Sequence, residues 1–234
     1  MILTRAVPAP SEFLDLDAPA SRDRLLEWYR PSSADWLRIN LVMSITGSAV
    51  GDDGTSETLT NATDRRILGV IRELSDVVLV GAASVRAEGY QLPRRSRLAV
   101  ATISGDLAGH RLEADQQHRL TIVCPESVAP RAAAEFPRAE ILTTPDAAPV
   151  TAIATALRAA GYASIVCEGG PTLAAALLAA DAVDELCLTT APLVRELTLP
   201  ALTPSGAPQK SARLEQLLLD ESSYVFTRWS IRAA

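Results

Sequence analysis

Ile165-Val166-Cys167-Glu168-Gly169-Gly170-Pro171-Thr172-Leu173 holds the transition on which the fold turns. Its first three residues read as a short buried strand, and Glu168 stands at the strand's end. Proline suits the first helical position, where its missing N–H would have no partner and its φ is already helical. The two glycines before it allow a tight turn and a close approach of backbone to ligand. The helix start presents free N–H groups and the positive end of a dipole, which together make an anion site. This pattern predicts a dinucleotide phosphate docked here, with Glu168 facing the reacting groups.

The neighbouring segments repeat the device. Asp76-Val77-Val78-Leu79-Val80 reads as a strand and runs into Gly81-Ala82-Ala83-Ser84-Val85, a second strand–glycine–helix junction. Leu98–Ile103 and Leu120–Cys124 are strand-like, and the former ends in Ser104-Gly105, a small polar turn suited to a ribose or a 2′-phosphate. Trp36–Ser44 reads as a strand buried on both faces, followed by a Gly/Asp/Ser/Thr-rich loop over 48–60. Helices are predicted at about 62–74, with Thr60 or Asn61 as cap, and at 129–136, 148–160 and after Pro171. Pro192, Pro200, Pro204 and Pro208 punctuate an irregular loop. Leu214–Leu219 and Ser223–Ile231 read as an antiparallel pair, with Val225, Thr227, Trp229 and Ile231 on one face and Tyr224, Phe226 and Arg228 on the other. Alternating strands and helices predict an α/β fold of three layers, α/β/α, around a mostly parallel mixed sheet with a C-terminal antiparallel hairpin. Ligands of such sheets sit at the carboxyl ends of the strands, where Ser44, Gly81, Ser104 and Glu168 fall. Residues 1–35, rich in proline and acids, read as an N-terminal extension to a body spanning 36–234. The extension carries one amphipathic piece, 22–29, free to pack on the body or on a second subunit.

The chain has 234 residues, 48% of them hydrophobic, and a net charge of −6. That length suffices for one sizeable core. The negative charge and the lack of a Lys/Arg-rich run argue against nucleic acid as a partner. No apolar run is long enough to cross a bilayer, and Met1–Pro8 lacks a signal-peptide core, so the cytoplasm is the expected compartment. Cys124, Cys167 and Cys187 each sit in an apolar run, widely spaced and with no C-x-x-C or His/Cys cluster, which reads as buried small hydrophobes rather than metal ligands. His110 and His118 read as surface residues.

Taken together, Arg38–Gly47, Ser75–Tyr90 and Val166–Leu173 with Val183–Leu186 after them resemble the pyrimidine reductase family of riboflavin biosynthesis. This is the reductase half of the bifunctional deaminase–reductase, with a dihydrofolate-reductase-like fold, and the resemblance runs from about residue 36 to 231. It implies an NADPH-dependent reduction of the ribosyl group of an aminopyrimidine ribose-phosphate, as in 5-amino-6-(5-phosphoribosylamino)uracil reduction, by a homodimer. On that resemblance Val42, Gly47, Gly81, Ala82, Ser84, Val85, Gly169, Gly170, Pro171, Thr172 and Leu173 would hold NADPH, with Ser104 near its adenosine end. Asn40, Ser44, Thr46 and Glu168 would border substrate and nicotinamide, and Arg65 or Arg86 would meet the substrate phosphate.

The zinc signature of the deaminase half, His-x-Glu followed by Pro-Cys-x-x-Cys, is missing, so the resemblance implies a reductase without that activity and without a metal. Two departures stand out. The family's Ser-(Leu/Ile)-Asp-Gly is Ser44-Ile45-Thr46-Gly47 here, which removes a carboxylate that Asp52 or Asp53 could replace from the loop. The usual Asn-Pro-x-Leu is Gly89-Tyr90-Gln91-Leu92. The proton that must accompany a hydride would come from Glu168, Asp52, Asp53 or a water. A pterin or folate-type reductase on the same scaffold, or a nucleotide-binding paralogue without turnover, are the alternatives.

Overall fold

The computed structural model describes residues 1–108, 110, 112, 114–148, 150–202 and 209–232; Pro204 and Pro208 lie outside them. The strands are β1 (Ile2–Val7), β2 (Glu12–Asp15), β3 (Trp36–Ser44), β4 (Val77–Gly81), β5 (Arg97–Ala101), β6 (Leu120–Pro125), β7 (Glu140–Thr144), β8 (Ser164–Cys167), β9 (Glu185–Ala191), β10 (Ser211–Asp220) and β11 (Val225–Arg232). The helices are α1 (Ser21–Tyr29), α2 (Ala62–Glu73), α3 (Ala82–Glu88), α4 (Ala129–Glu135), α5 (Ile153–Ala159) and α6 (Pro171–Ala179).

All strands join one sheet in the order β2-β1-β10-β11-β9-β3-β8-β4-β5-β6-β7. From β9 to β7 every neighbouring pair is parallel; the β2-β1-β10-β11-β9 end is antiparallel. The expected mixed sheet is present, and period-2 alternation explains its three layers. Val78 and Val80 of β4 enter one apolar cluster with side chains of α1, α2, α3 and α4. Val77 and Leu79 point the other way, into a cluster with Leu157 of α5 and Leu173, Ala174 and Leu177 of α6. Successive strand residues face opposite sides, so a continuous apolar run is what a strand covered by helices on both faces needs.

Residues 1–29 are built into this body. β1 pairs with β10, β2 pairs with β1, and α1 buries Leu25, Trp28 and Tyr29. The end of α1 is held by two arginines of the sheet. Arg38 donates to the Tyr29 carbonyl at 2.7 Å and Arg228 donates to the Trp28 carbonyl, which supplies partners to carbonyls that a helix end leaves open. Glu185 lies between them, accepting from Arg38 Nε at 2.5 Å and Arg228 Nη2 at 2.7 Å. Burial alone would raise the Glu185 carboxyl, but the two guanidinium groups outweigh it and hold it below the usual range.

The predicted elements are found with shifts at their ends: the helix expected over 148–160 spans Ile153–Ala159. Asn61 is the cap of α2, its side chain accepting from the Asp64 N–H at 2.9 Å. His118 is exposed, but His110 is half-buried with its ring centroid 5.0 Å from that of Phe136. The three cysteines are buried and free. Among the described residues no group of metal-ligating side chains is found, and no helix is long and apolar enough to cross a membrane.

Candidate active site

The two strand–glycine–helix junctions stand side by side. β8 and β4 are parallel neighbours, Leu79 opposite Cys167, so both chains turn at the same edge of the sheet. The Gly81 N–H donates to the Gly169 carbonyl at 2.8 Å and locks one turn against the other. Gly169 has φ +113°, a conformation that side-chain-bearing residues rarely adopt. The Gly169–Gly170 peptide is cis. A Cβ on Gly170 would stand 3.1 Å from Ser84 Oγ, so the two junctions leave little room for anything but backbone.

Above these turns lies a cavity of about 720 Å³. Its floor is formed by Asn40 and Val42 of β3, Gly81 to Ser84, and Glu168 to Leu173. α6 opens into it with Gly170 as N-cap, and among the described residues the Thr172 and Leu173 N–H groups have no hydrogen-bond partner. One end runs along Thr102 to Ser104, Val123 to Pro125 and Thr144, past the tips of β5, β6 and β7. The opposite wall is α2, whose Asp64, Leu68 and Arg72 line the cavity at i, i+4, i+8 spacing while Ile67, Val70 and Ile71 face the core.

Glu168 is 5% exposed, and Arg72 grips it through Nε to Oε1 at 2.7 Å and Nη2 to Oε2 at 2.6 Å. The Tyr90 hydroxyl donates to the same carboxylate, and Arg72 Nη2 also reaches Tyr90 Oη at 3.1 Å. A two-pronged guanidinium pair is among the stronger polar contacts a protein makes, and it fixes the position of the carboxylate. Asp64 is 6% exposed, and burial pushes its carboxyl up to about 6. Arg65 lines the cavity beside Glu57, its ion-pair partner. Arg86 lines it from the last turn of α3 and donates to the Asp106 carbonyl at 2.5 Å, which sets it by the Ser104 turn and not by Arg65.

Fourteen of the residues singled out from the sequence therefore border one cavity: Asn40, Val42, Arg65, Gly81, Ala82, Ser84, Arg86, Ser104 and Glu168 to Leu173. Five do not. Val85 is fully buried in the core. Ser44 is buried and shares a hydrogen bond of 2.8 Å with Thr46, whose hydroxyl lies 2.7 Å from the Arg195 carbonyl, its acceptor. Gly47 closes this turn, its N–H donating to the Ser44 carbonyl at 2.9 Å, with φ +88°. An aspartate at position 46 would have no proton for that carbonyl, so threonine serves here as a brace to the 193–199 loop. Asp52 is 99% exposed and pairs with Arg195 at 3.3 Å, outside the cavity.

Asp64, Arg72 and Tyr90 were not among the residues singled out. The α2 spacing carries a signal for the first two, since three non-core positions one turn apart define a second helix face.

A family model described as the RibD C-terminal domain matches residues 35–216. The chain belongs to that family. It is a family of riboflavin-biosynthesis reductases, which makes oxidoreductase chemistry the function of the scaffold. Among solved structures, a pyrimidine reductase-like protein from Corynebacterium diphtheriae superimposes with TM-score 0.76 at 21% identity, covering 91% of this chain and 99% of that one. A diaminohydroxyphosphoribosylaminopyrimidine deaminase/5-amino-6-(5-phosphoribosylamino)uracil reductase from Thermotoga maritima gives 0.66 at 18%, covering 90% of this chain and 58% of the larger protein. The riboflavin biosynthesis reductase Rib7 of Saccharomyces cerevisiae gives 0.62 at 14%, covering 89% and 98%. No curated protein matches the chain in sequence. At these identities the likeness is one of fold, and this RibD-family chain shares the mixed sheet on which those proteins are built.

Proposed function

We propose that this chain is an NADPH-dependent reductase that converts the ribosyl group of an aminopyrimidine ribose-phosphate to the ribityl form. The observation that carries the reading is the pairing of two glycine junctions at adjacent strand tips over one cavity. The backbone there is bare, one helix N-terminus is uncapped, and a Cβ at Gly170 would crowd the cradle. These features suit a pyrophosphate.

When bound, NADPH would supply a hydride. The N–H groups at the start of α6 would take the pyrophosphate, with Ala82 and Ser84 on the opposite side. Thr102 and Ser104 would border the adenosine, and Arg86, beside that turn, would face a 2′-phosphate rather than the substrate phosphate. Asn40 and Val42 would border nicotinamide and pyrimidine, leaving Arg65 for the substrate phosphate. Glu168 and Arg72 would act as positioning residues that fix the Gly169–Gly170 turn. Three free buried thiols suit a reducing cytoplasm.

A homodimer is part of this reading. Leu186, Leu188, Thr227, Trp229, Leu217 and Leu219 share the sheet face on the α6 side; Leu186 and Leu188 are half-buried at the border of the α5–α6 cluster, and Leu219 is exposed. An apolar sheet face of this kind suits a second copy. Sedimentation at micromolar concentration should give a dimer, and Trp229→Glu should give a monomer; wild-type monomer would remove this part.

The reductase reading is tested by following NADPH oxidation with the aminopyrimidine ribose-phosphate, and with pterins as comparison. Turnover with the ribose-phosphate and none with pterins is expected. Tight NADPH binding with no turnover on either would favour a nucleotide-binding paralogue, the reading to which Thr46 in place of aspartate gives some support.

A further inference from the structure

Delivery of a hydride to a carbon leaves an electron pair that needs a proton, and four carboxylates line the cavity: Glu57, Asp64, Glu88 and Glu168. Glu168 is held by both prongs of Arg72 and by the Tyr90 hydroxyl. Glu57 is exposed and paired with Arg65. Glu88 is exposed at the last position of α3. Asp64 alone is both buried and without an ion pair among the described residues.

Its place is fixed by the helix that carries it. Asn61 caps α2 and accepts the Asp64 N–H at 2.9 Å, which sets the side chain one turn before Leu68 on the cavity face. The charged and titratable groups around it are Arg65 on its own helix, Glu168 across the cavity and Tyr224 by the last hairpin, with the Thr189 hydroxyl of β9 beside it. We infer that Asp64, and not Glu168 or Asp52, is the acid that gives up the proton in the reduction. This inference rests on the reductase reading above. Desolvation by burial is the largest influence on its carboxyl, Thr189 and Arg65 act against it, and the charge of Glu168 adds to it; the balance stands at about 6. An acid poised near neutrality both carries a proton and releases it readily.

In the open-chain imine form of the aminopyrimidine ribose-phosphate, a new C–H bond forms at C1′ with the hydride. The π pair of the C=N bond moves onto nitrogen, where an N–H bond forms as the O–H bond of Asp64 breaks. NADPH ends as NADP⁺, the imine ends as the ribitylamine, and a proton from water restores the Asp64 carboxyl.

The test has two arms. With aspartate carboxyls labelled in ¹³C and no cofactor present, the signal that disappears in Asp64→Asn should titrate near pH 6. Titration of that signal below pH 4.5 would overturn the inference. In single-turnover NADPH oxidation, the wild-type rate should fall as pH rises through Asp64's titration, because the acid form is the active one. Asp64→Asn should lower the rate at pH 7 by ~100-fold or more and abolish that limb, with NADPH affinity within about twofold of wild type. Glu168→Gln should keep the limb. An Asp64→Asn protein that binds NADPH and reacts at the wild-type rate would overturn the assignment alone. Failure of the reductase reading would show elsewhere, in a wild-type protein that does not bind NADPH.

Discussion

Arg72 of α2 and Glu168 at the end of β8 meet through two hydrogen bonds, at 2.7 and 2.6 Å, across a cavity wall. The contact ties a helix to the turn that carries Gly169 and Gly170, and it leaves Glu168 5% exposed. Arg72→Met would strand a buried carboxylate. A loss of ~2–3 kcal/mol is expected, the size of hydrogen bonds to a charged group, together with weaker NADPH binding. Glu168→Gln keeps one acceptor oxygen for Arg72 and strands no buried charge, since Arg72 is 28% exposed, and should cost less. Urea unfolding of the two variants orders them; equal losses would contradict the role given to Arg72.

Gly169 tests the cradle more locally. Its φ is +113°, and an added Cβ would stand 3.4 Å from Leu41 Cδ2, so alanine is strained by the backbone more than by crowding. Gly169→Ala should cost ~1–3 kcal/mol and lower NADPH affinity by about tenfold or more. A thermal melt with and without NADPH reads both. Unchanged affinity would place the pyrophosphate elsewhere.

The Arg38–Glu185–Arg228 cluster predicts a purely structural effect. Arg38 and Glu185 are each 2% exposed, so Glu185→Gln leaves two buried guanidinium groups without a counter-charge. A loss of ~3–5 kcal/mol is expected. Because the folded-state carboxyl is held below its unfolded value, its contribution is present above the unfolded pKa and fades as pH falls through the folded one. The wild-type advantage over Glu185→Gln, measured by urea unfolding, should therefore shrink in acid.

Asp64 predicts the opposite slope. Its carboxyl stands at about 6 when folded, against 3.8 in the absence of structure. Below pH 3.8 both states hold the proton and there is no penalty. As pH rises the unfolded chain ionises first, so stability is lost until the folded carboxyl also ionises. At ~1.4 kcal/mol per unit, Asp64→Asn should be more stable than wild type by ~3 kcal/mol above pH 7 and no different below pH 4. A constant difference across that range would mean that Asp64 is not raised.

Much of this molecule is legible in local chemistry. The runs Val77–Val80 and Ile165–Cys167 announce strands covered on both faces, and the glycines after each announce turns, so the floor of the cavity follows from short segments. What lies outside that reach depends on pairing over long distances. β1 is placed by β10, more than two hundred residues away, and its six residues carry no alternation strong enough to mark an edge-side strand. Glu168 looks like a catalytic acid until Arg72, 96 residues earlier, is seen to hold it. Asp52 looks available because it is close in sequence to Thr46, yet its loop carries it to Arg195. Asp64 reads as a first-turn helix acid, and only the folded chain sets it on the cavity wall one turn before Leu68.

Two adjacent turns gripping one pyrophosphate are the centre of the proposed chemistry. A crystal of the protein soaked in NADPH measures this directly. The expected result is phosphate density against the backbone of Thr172 and Leu173 on one side and Ala82 on the other, with the nicotinamide toward Asn40. Density anywhere else, or none at millimolar NADPH, would contradict it.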